Sequence, residues 1–489
     1  MTPREAEMQP QLDRVREYLE RHHDRHLARL QTLLRQPSIS VDGVGVEECA
    51  KLYAELARDG GFTESEVVST GGAPGVWAAC EASAPVTLAT YGMLDSVRAD
   101  PKGWSSPPFD AAVVPLPPFP RVVIARGARA VKGPLGVFLN AVEACRAVLG
   151  RTPVNVLVVA ECDEIMGSPG YRGMIDRYRA RLAAASAAWN PGASQDANGA
   201  GHFTLGYKGM IYMALRASGA RWGRGPRETA IHGMAKSVVD SPAWRLVHAL
   251  ATLTSPDGNV VRLEGFDRAT PPPSADEAQE MAAVMARFQG VPWQRVLTGV
   301  QSADVRAIDD LPDEEIYRRY FFAPSMNLNG LRSGYLGPGT RAFSLPHAAE
   351  ATFDIRIPRT WDVADVVQAL RRRLDEAGFG DVESMVFGAF NGSRVSRDAP
   401  VVRAAEAMFT SRDLDVVWWP MTGGGGPWSL FTEEFGIPLL RDVGLGHGRA
   451  SARDEYLVIE GAGKIGGMVD LALSYVEFMF RLAASGTAH

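Results

Sequence analysis

The chain of 489 residues is short of lysine, with six against 45 arginines. That ratio reflects GC-rich coding and carries no function by itself. Cysteine is scarce too. Cys49, Cys80, Cys145 and Cys162 lie far apart without metal-ligand spacing, which reads as isolated buried thiols. No apolar run approaches the ~20 residues that a membrane-spanning helix needs. The segment Arg21 to Arg35 is charged and His/Arg-rich, with no secretory apolar core. Positive charge is not in excess either. A net charge of -6 gives no reason to expect nucleic acid or an acidic membrane surface as a partner. The expectation is a soluble, cytoplasmic protein.

What is present is a globular composition and chain enough for two domains. Apolar residues at helical spacing (Leu12, Val15, Leu19, Leu27, Leu30, Leu33) predict one amphipathic helix over 4–34. A second helix is predicted over 45–58 and strands over 75–82, 86–91 and 122–124. A helix over 133–149 leads into a continuous apolar run, Val154 to Val159, which reads as a buried parallel strand. This alternation predicts an α/β layer with a mostly parallel sheet. After Gly206 the texture changes. A strand over 210–215, a helix over 243–253, a polar Pro-rich span over 256–276, a helix over 279–288 and a strand ending at Pro358 suggest an inserted α+β module. A helix over 363–377, a strand over 414–419 and a last helix over 463–482 return to α/β texture. The predicted division is an α/β domain of 1–208 and 359–489, interrupted by an insertion over 209–358.

The chemistry concentrates just after the buried strand, in Glu161-Cys162-Asp163-Glu164-Ile165-Met166-Gly167-Ser168. Acidic residues there sit at the carboxyl edge of the sheet, where α/β proteins place ligands. The segment resembles Glu-Gly-x-Glu-Glu-x-Gly-Ser of the di-zinc aminoacylase, carboxypeptidase and dipeptidase family. Other stretches carry the same resemblance. Gly92-Met93-Leu94-Asp95, followed by Trp104 and Pro107-Pro108-Phe109, is similar to Gly-His-x-Asp with its Trp and Pro-Pro-Phe. Arg126-Gly127-Ala128-Arg129-Ala130-Val131-Lys132-Gly133 is similar to Arg-Gly-x-x-Asp-x-Lys-Gly, and Ala450 to Glu455 to Ala-His-Ser-x-x-Glu.

The resemblance implies a metallopeptidase-like α/β catalytic domain with an inserted α+β lid or dimerisation domain. Glu164 matches the general base. Asp95 matches the Asp that orients a zinc-binding His. His232, in Ile231-His232-Gly233, matches a His that reaches across a homodimer to the partner's substrate. Asn327 matches a lid residue lining the site. Arg356, before Ile357-Pro358, matches the Arg that grips the substrate carboxylate, a task suited to a planar cationic fork. Gly424, Gly425 and Gly426 match the loop whose amides contact that carboxylate. Lys132 and His447 are further candidates for the substrate site, although a solvated helix-start lysine and an unliganded loop histidine are the plainer readings.

The zinc-ligand positions depart from the pattern. Met93, Ala130, Ile165, Ser451 and Asn190 stand where the family has His, Asp, Glu, His and Asp. A catalytic zinc site needs about three protein ligands. The expectation is therefore no metal and no other cofactor. It favours an enzyme working without metal on a small amino-acid- or peptide-like carboxylate substrate, by condensation, cyclisation, elimination or isomerisation. The alternatives are an inactive relative that binds a peptide-like ligand or partner, and a hydrolase with an unusual metal site.

Overall fold

The structure is a computed structural model and describes residues 3–266, 272–300, 305–335, 337 and 343–485. Residues 267–271 of the Pro-rich span lie outside the described residues. The chain divides into two compact units, 1–205 with 394–419 and 430–489, and 206–393 with 420–429.

The first unit is built on a six-stranded sheet in the order Glu64–Val68, Gly75–Cys80, Asn155–Glu161, Thr87–Met93, Ala187–Pro191, Leu439–Val443. The last four strands pair in parallel, and the first two join antiparallel. The apolar run predicted as a strand is Asn155–Glu161. Its residues from Val156 to Glu161 are buried, as a strand covered on both faces requires. The helix Lys132–Leu149 and the long helix Met468–Ser485 are both largely buried. The predicted strand over 122–124 belongs instead to a separate antiparallel sheet, Gly448–Arg449, Tyr456–Glu460, Phe119–Ile124 and Ala112–Leu116.

The single helix predicted over 4–34 is two, Pro3–Arg21 and His23–Arg35, broken at His22 (φ -105°, ψ 15°). The pair is held by polar contacts to Glu143 of the helix Lys132–Leu149. Its carboxylate accepts from the Tyr18 hydroxyl at 2.9 Å and pairs with Arg25 and Arg29. The buried His26 ring lies 3.3 Å from the same carboxylate. These partners hold the Glu143 carboxyl well below the usual carboxylate range, although burial opposes them.

The second unit is a four-stranded antiparallel sheet in the order Ser325–Ser333, Ala348–Ile357, Gly209–Ser218, Glu383–Phe390. The helices Pro242–Ala251 and Val363–Glu376 pack against it. The strand Ala348–Ile357 alternates strictly. Ala349, Ala351, Phe353, Ile355 and Ile357 are buried, and Glu350, Thr352, Asp354 and Arg356 between them are only partly so. Alternation of this kind sends successive side chains to opposite faces. Arg356 and Asp354 therefore share the face away from the apolar core. The boundary predicted at Pro358 moves to Ser393, because the helix Val363–Glu376 and the strand Glu383–Phe390 complete this sheet rather than the first one.

Candidate functional site

In the first unit the parallel register aligns Gly92 with Ala160 and Met93 with Glu161. The chain leaves both strands side by side at the carboxyl edge of the sheet. Asn190 is the penultimate residue of the neighbouring strand, and its amide donates to the Tyr91 carbonyl at 3.1 Å. Past Glu161 the chain makes a short 3-10 turn, Glu164–Met166.

Asp95 is brought directly onto this turn. It is fully buried, and its carboxylate accepts the N–H groups of Glu164 at 3.2 Å and Ile165 at 3.0 Å and the Ser40 hydroxyl at 2.7 Å. Burial, the largest influence, pushes its carboxyl up to about 6, against those hydrogen bonds. The buried Asp163 carboxylate accepts from the amides of Ala73 at 3.0 Å and Gly170 at 3.2 Å, and burial raises it too. The buried Glu161 accepts from the Tyr91 hydroxyl at 2.6 Å and is pushed far up by burial. Glu164 itself is half-buried. The structure brings Asp95 onto the turn of Glu164, where it grips backbone in the place of the imidazole the resemblance implied.

Whether these residues fit a pair of metal ions follows from the donor set. Among the described residues, no three His, Cys, Asp or Glu side chains form a group that could hold a metal ion. The Asp95 and Asp163 carboxylates already accept backbone amides. The Asn190 amide donates to a carbonyl. Ala130 offers its N–H to Glu455 Oε1 at 2.8 Å. Ser451 is exposed. This set does not fit the zinc pair that the resemblance implied, and no step is routed through one.

Two candidates from the sequence have structural work in this unit. Lys132 is fully buried rather than solvated, and its ammonium donates to the Gln36 carbonyl at 2.5 Å. His447 Nδ1 lies 2.8 Å from the Gln195 carbonyl and Nε2 lies 3.2 Å from the Tyr456 hydroxyl. Burial holds that imidazole below its ordinary range. Both ring nitrogens are occupied, so His447 does not stand free as a ligand. Sequence reasoning gave Glu455 no role. Its buried carboxylate pairs with Arg126 at 2.9 Å and accepts the amides of Arg129 and Ala130, closing the loop on which Ala130 sits.

In the second unit Arg356 is held by Asp354, Nε to Oδ2 at 2.8 Å, with part of the guanidinium still accessible. Asn327 is exposed and reaches Asp354 Oδ1 at 3.3 Å. A Cβ placed on Gly425 would stand 2.6 Å from the Lys208 carbonyl oxygen and 3.7 Å from Arg356 Nη1. Only glycine lets this loop lie so close to the strand. Gly424 has ordinary room, and Gly426 packs on the Trp428 ring. Lys208, which sequence reasoning missed, is buried and donates to the Ala323 and Arg319 carbonyls at 2.7 and 3.3 Å. Burial first, then the neighbouring Arg356 charge, lowers its ammonium to about 7. The available signal was its rarity in a chain that uses arginine almost everywhere. His232 is exposed, and its Nδ1 accepts the Met234 N–H at 3.2 Å.

Residues 226–382 match the peptidase dimerisation domain of M20 enzymes. The Cys-Gly metallodipeptidase of Schizosaccharomyces pombe is 24% identical over 406 residues, 78% of this chain and 79% of that protein. The human β-Ala-His dipeptidase is 23% identical over 59% of this chain and 54% of its own length. Among solved structures, an M20 family metallo-carboxypeptidase from Sulfolobus solfataricus superposes with a TM-score of 0.78 at 25% identity, covering 94% of this chain and 99% of that one. The chain is thus similar to M20 peptidases along most of its length, with a mixed α/β fold and a segment that matches their dimerisation domain.

These relatives correct the expected function. They are named dipeptidases and a carboxypeptidase, which supports peptidase function. Nothing in them points to a metal-independent condensation, cyclisation, elimination or isomerisation. No described helix is long and apolar enough to cross a membrane.

Proposed function

We propose that this chain is a peptidase acting on dipeptide-like substrates with a free carboxylate. The observation that carries the reading is the likeness to a metallo-carboxypeptidase across 94% of the chain. Carboxypeptidases and dipeptidases both handle a peptide bond next to a terminal carboxylate. Arg356 suits that group. Its Nε is committed to Asp354, which orients the planar fork, and a guanidinium binds a carboxylate bidentately. Glu164 is the proton-moving group. Hydrolysis needs a base that takes a proton from the attacking water and returns it to the leaving amine, and a positioned carboxylate can do both. The dimerisation domain pairs two copies of the chain, and the exposed His232 is offered to the partner's substrate.

The test is hydrolysis of Cys-Gly, β-Ala-His and related dipeptides by the parent and by Glu164→Gln, which keeps shape and removes basicity. The expected loss is about 100-fold in rate, the usual scale for a general base. A Gln variant that turns over at the parental rate refutes the assignment of Glu164.

A further inference from the structure

The turn that carries Glu164 lacks a side-chain cap from the residue before it, whose Oδ2 accepts from Ala73 and Gly170 instead. The first two amides of the turn go instead to Asp95, sixty-nine and seventy positions back along the chain. Asp95 Oδ1 takes the Glu164 N–H, while Oδ2 takes the Ile165 N–H and the Ser40 hydroxyl. Burying a carboxylate is costly unless hydrogen bonds favour it, so this arrangement is over-determined rather than incidental. Asp95 is itself held on both sides. The Leu94 N–H donates to the Glu161 carbonyl at 2.9 Å, the Ser38 hydroxyl to the Leu94 carbonyl at 2.6 Å, and the Ser96 N–H to the Ser38 carbonyl at 2.8 Å.

We propose that Asp95 is the positioning residue for Glu164, acting through the two peptide groups that flank it. Each peptide group is a rigid plane. Holding the N–H of Glu164 and the N–H of Ile165 anchors the plane on either side of the Glu164 Cα. That sets the direction in which its Cβ leaves the backbone. The segment 38–40 serves as a strap, with Ser38 holding the backbone around Asp95 and Ser40 holding its carboxylate. The inference rests on the reading of Glu164 as the proton-moving group. A base displaced by about 1 Å can lose about 100-fold in rate.

The experiment compares the parent with Asp95→Asn, Ser40→Ala and Glu164→Gln, using amide hydrogen exchange and steady-state kinetics with Cys-Gly as the probe. The Asn amide cannot accept at its NH2 side, so one N–H of the turn loses its acceptor. Exchange at the Glu164 and Ile165 amides should quicken by about tenfold or more as local opening becomes easier. The Ala73 and Gly170 amides, held by Asp163, should keep their parental protection. The kcat should fall about 10- to 100-fold with KM little changed, the signature of lost transition-state positioning. Should Asp95→Asn fail to fold, Ser40→Ala carries the test, since it keeps the carboxylate and removes only its hydroxyl donor. Faster exchange at the same two amides supports the proposal in that variant as well. Parental exchange at both amides in the variants that fold overturns it, and so does a raised KM with unchanged kcat. The control separates the two ideas. If Glu164→Gln is impaired and Asp95→Asn turns over normally, the positioning role fails alone. If Glu164→Gln turns over at the parental rate, the reading of Glu164 fails, whatever the exchange shows.

Discussion

Replacing Lys208 by Met removes a buried ammonium and keeps most of its stem. In the folded chain burial and Arg356 bring this group from 10.5 down to about 7. At about 1.4 kcal/mol per pH unit, that displacement puts a penalty of order 4–5 kcal/mol on the protonated form. The sign follows from proton counting. Between pH 7 and 10.5 the unfolded chain keeps the proton and the folded chain does not, so the parent gains stability as pH rises through that window. Below pH 7 both states are protonated and the full penalty remains. The Met variant lacks this slope. It instead removes the donor to the Ala323 carbonyl, while the Arg319 carbonyl keeps the Ala323 N–H at 3.0 Å, a pH-independent cost of about 1–3 kcal/mol. Urea unfolding of both full-length proteins at about pH 6, 8 and 9.5 measures the difference between them at each pH. The parent should gain on the variant by about 3 kcal/mol across that range. A difference that stays flat with pH refutes the reasoning, because Lys208 would then not be titrating where its burial requires.

The other predictions concern the carboxylate pocket and the loop of Ala130. Gly425→Ala puts a Cβ 2.6 Å from the Lys208 carbonyl and must displace the loop. It should weaken dipeptide binding about tenfold, while Gly424→Ala should bind as the parent does, as measured by isothermal titration. Arg356→Ala should weaken binding by at least about tenfold, since truncating one partner of a desolvated ion pair costs ~2–5 kcal/mol. Unchanged affinity places the carboxylate elsewhere. Glu455→Gln breaks the buried pair with Arg126 at a cost of about 3–5 kcal/mol. Calorimetry should show a clearly lower unfolding temperature, and a loss under ~1 kcal/mol counts against the pair.

Much of this was legible where periodicity and burial agree. The run Val154 to Val159 could only be a covered strand, and the segment after it led to the turn of Glu164 and to Asp95. The strand Ser325–Ser333 was not legible. Its Asn-, Gly- and Ser-rich sequence, largely exposed, reads as loop, and only pairing along Ala348–Ile357 makes it a strand. The strand Glu383–Phe390 was missed for a similar reason, since it follows a helix that had been assigned to the other unit. Side-chain work at long sequence separation was hidden as well. Ser40 and Glu455 matter because of backbone groups they meet only after folding. Lys132 looked like a surface cation because helix starts usually are exposed, and its buried bond to Gln36 has no local signal.

The helical layer around Glu143 and the acids at the sheet edge respond to acid in opposite directions. Glu143 has a depressed carboxyl, so its stabilisation is complete above its unfolded value and is lost as pH falls below it. Asp95, Asp163 and Glu161 are raised by burial. The folded chain takes up those protons before the unfolded chain does, so acid favours the folded form at the sheet edge. Only strong acid, below the ordinary carboxylate range, should therefore loosen the N-terminal helices Pro3–Arg21 and His23–Arg35 from the first unit while the turn of Glu164 stays closed. An acid-weakened molecule would come apart from its N-terminal layer inward, leaving its candidate site as the last part to open.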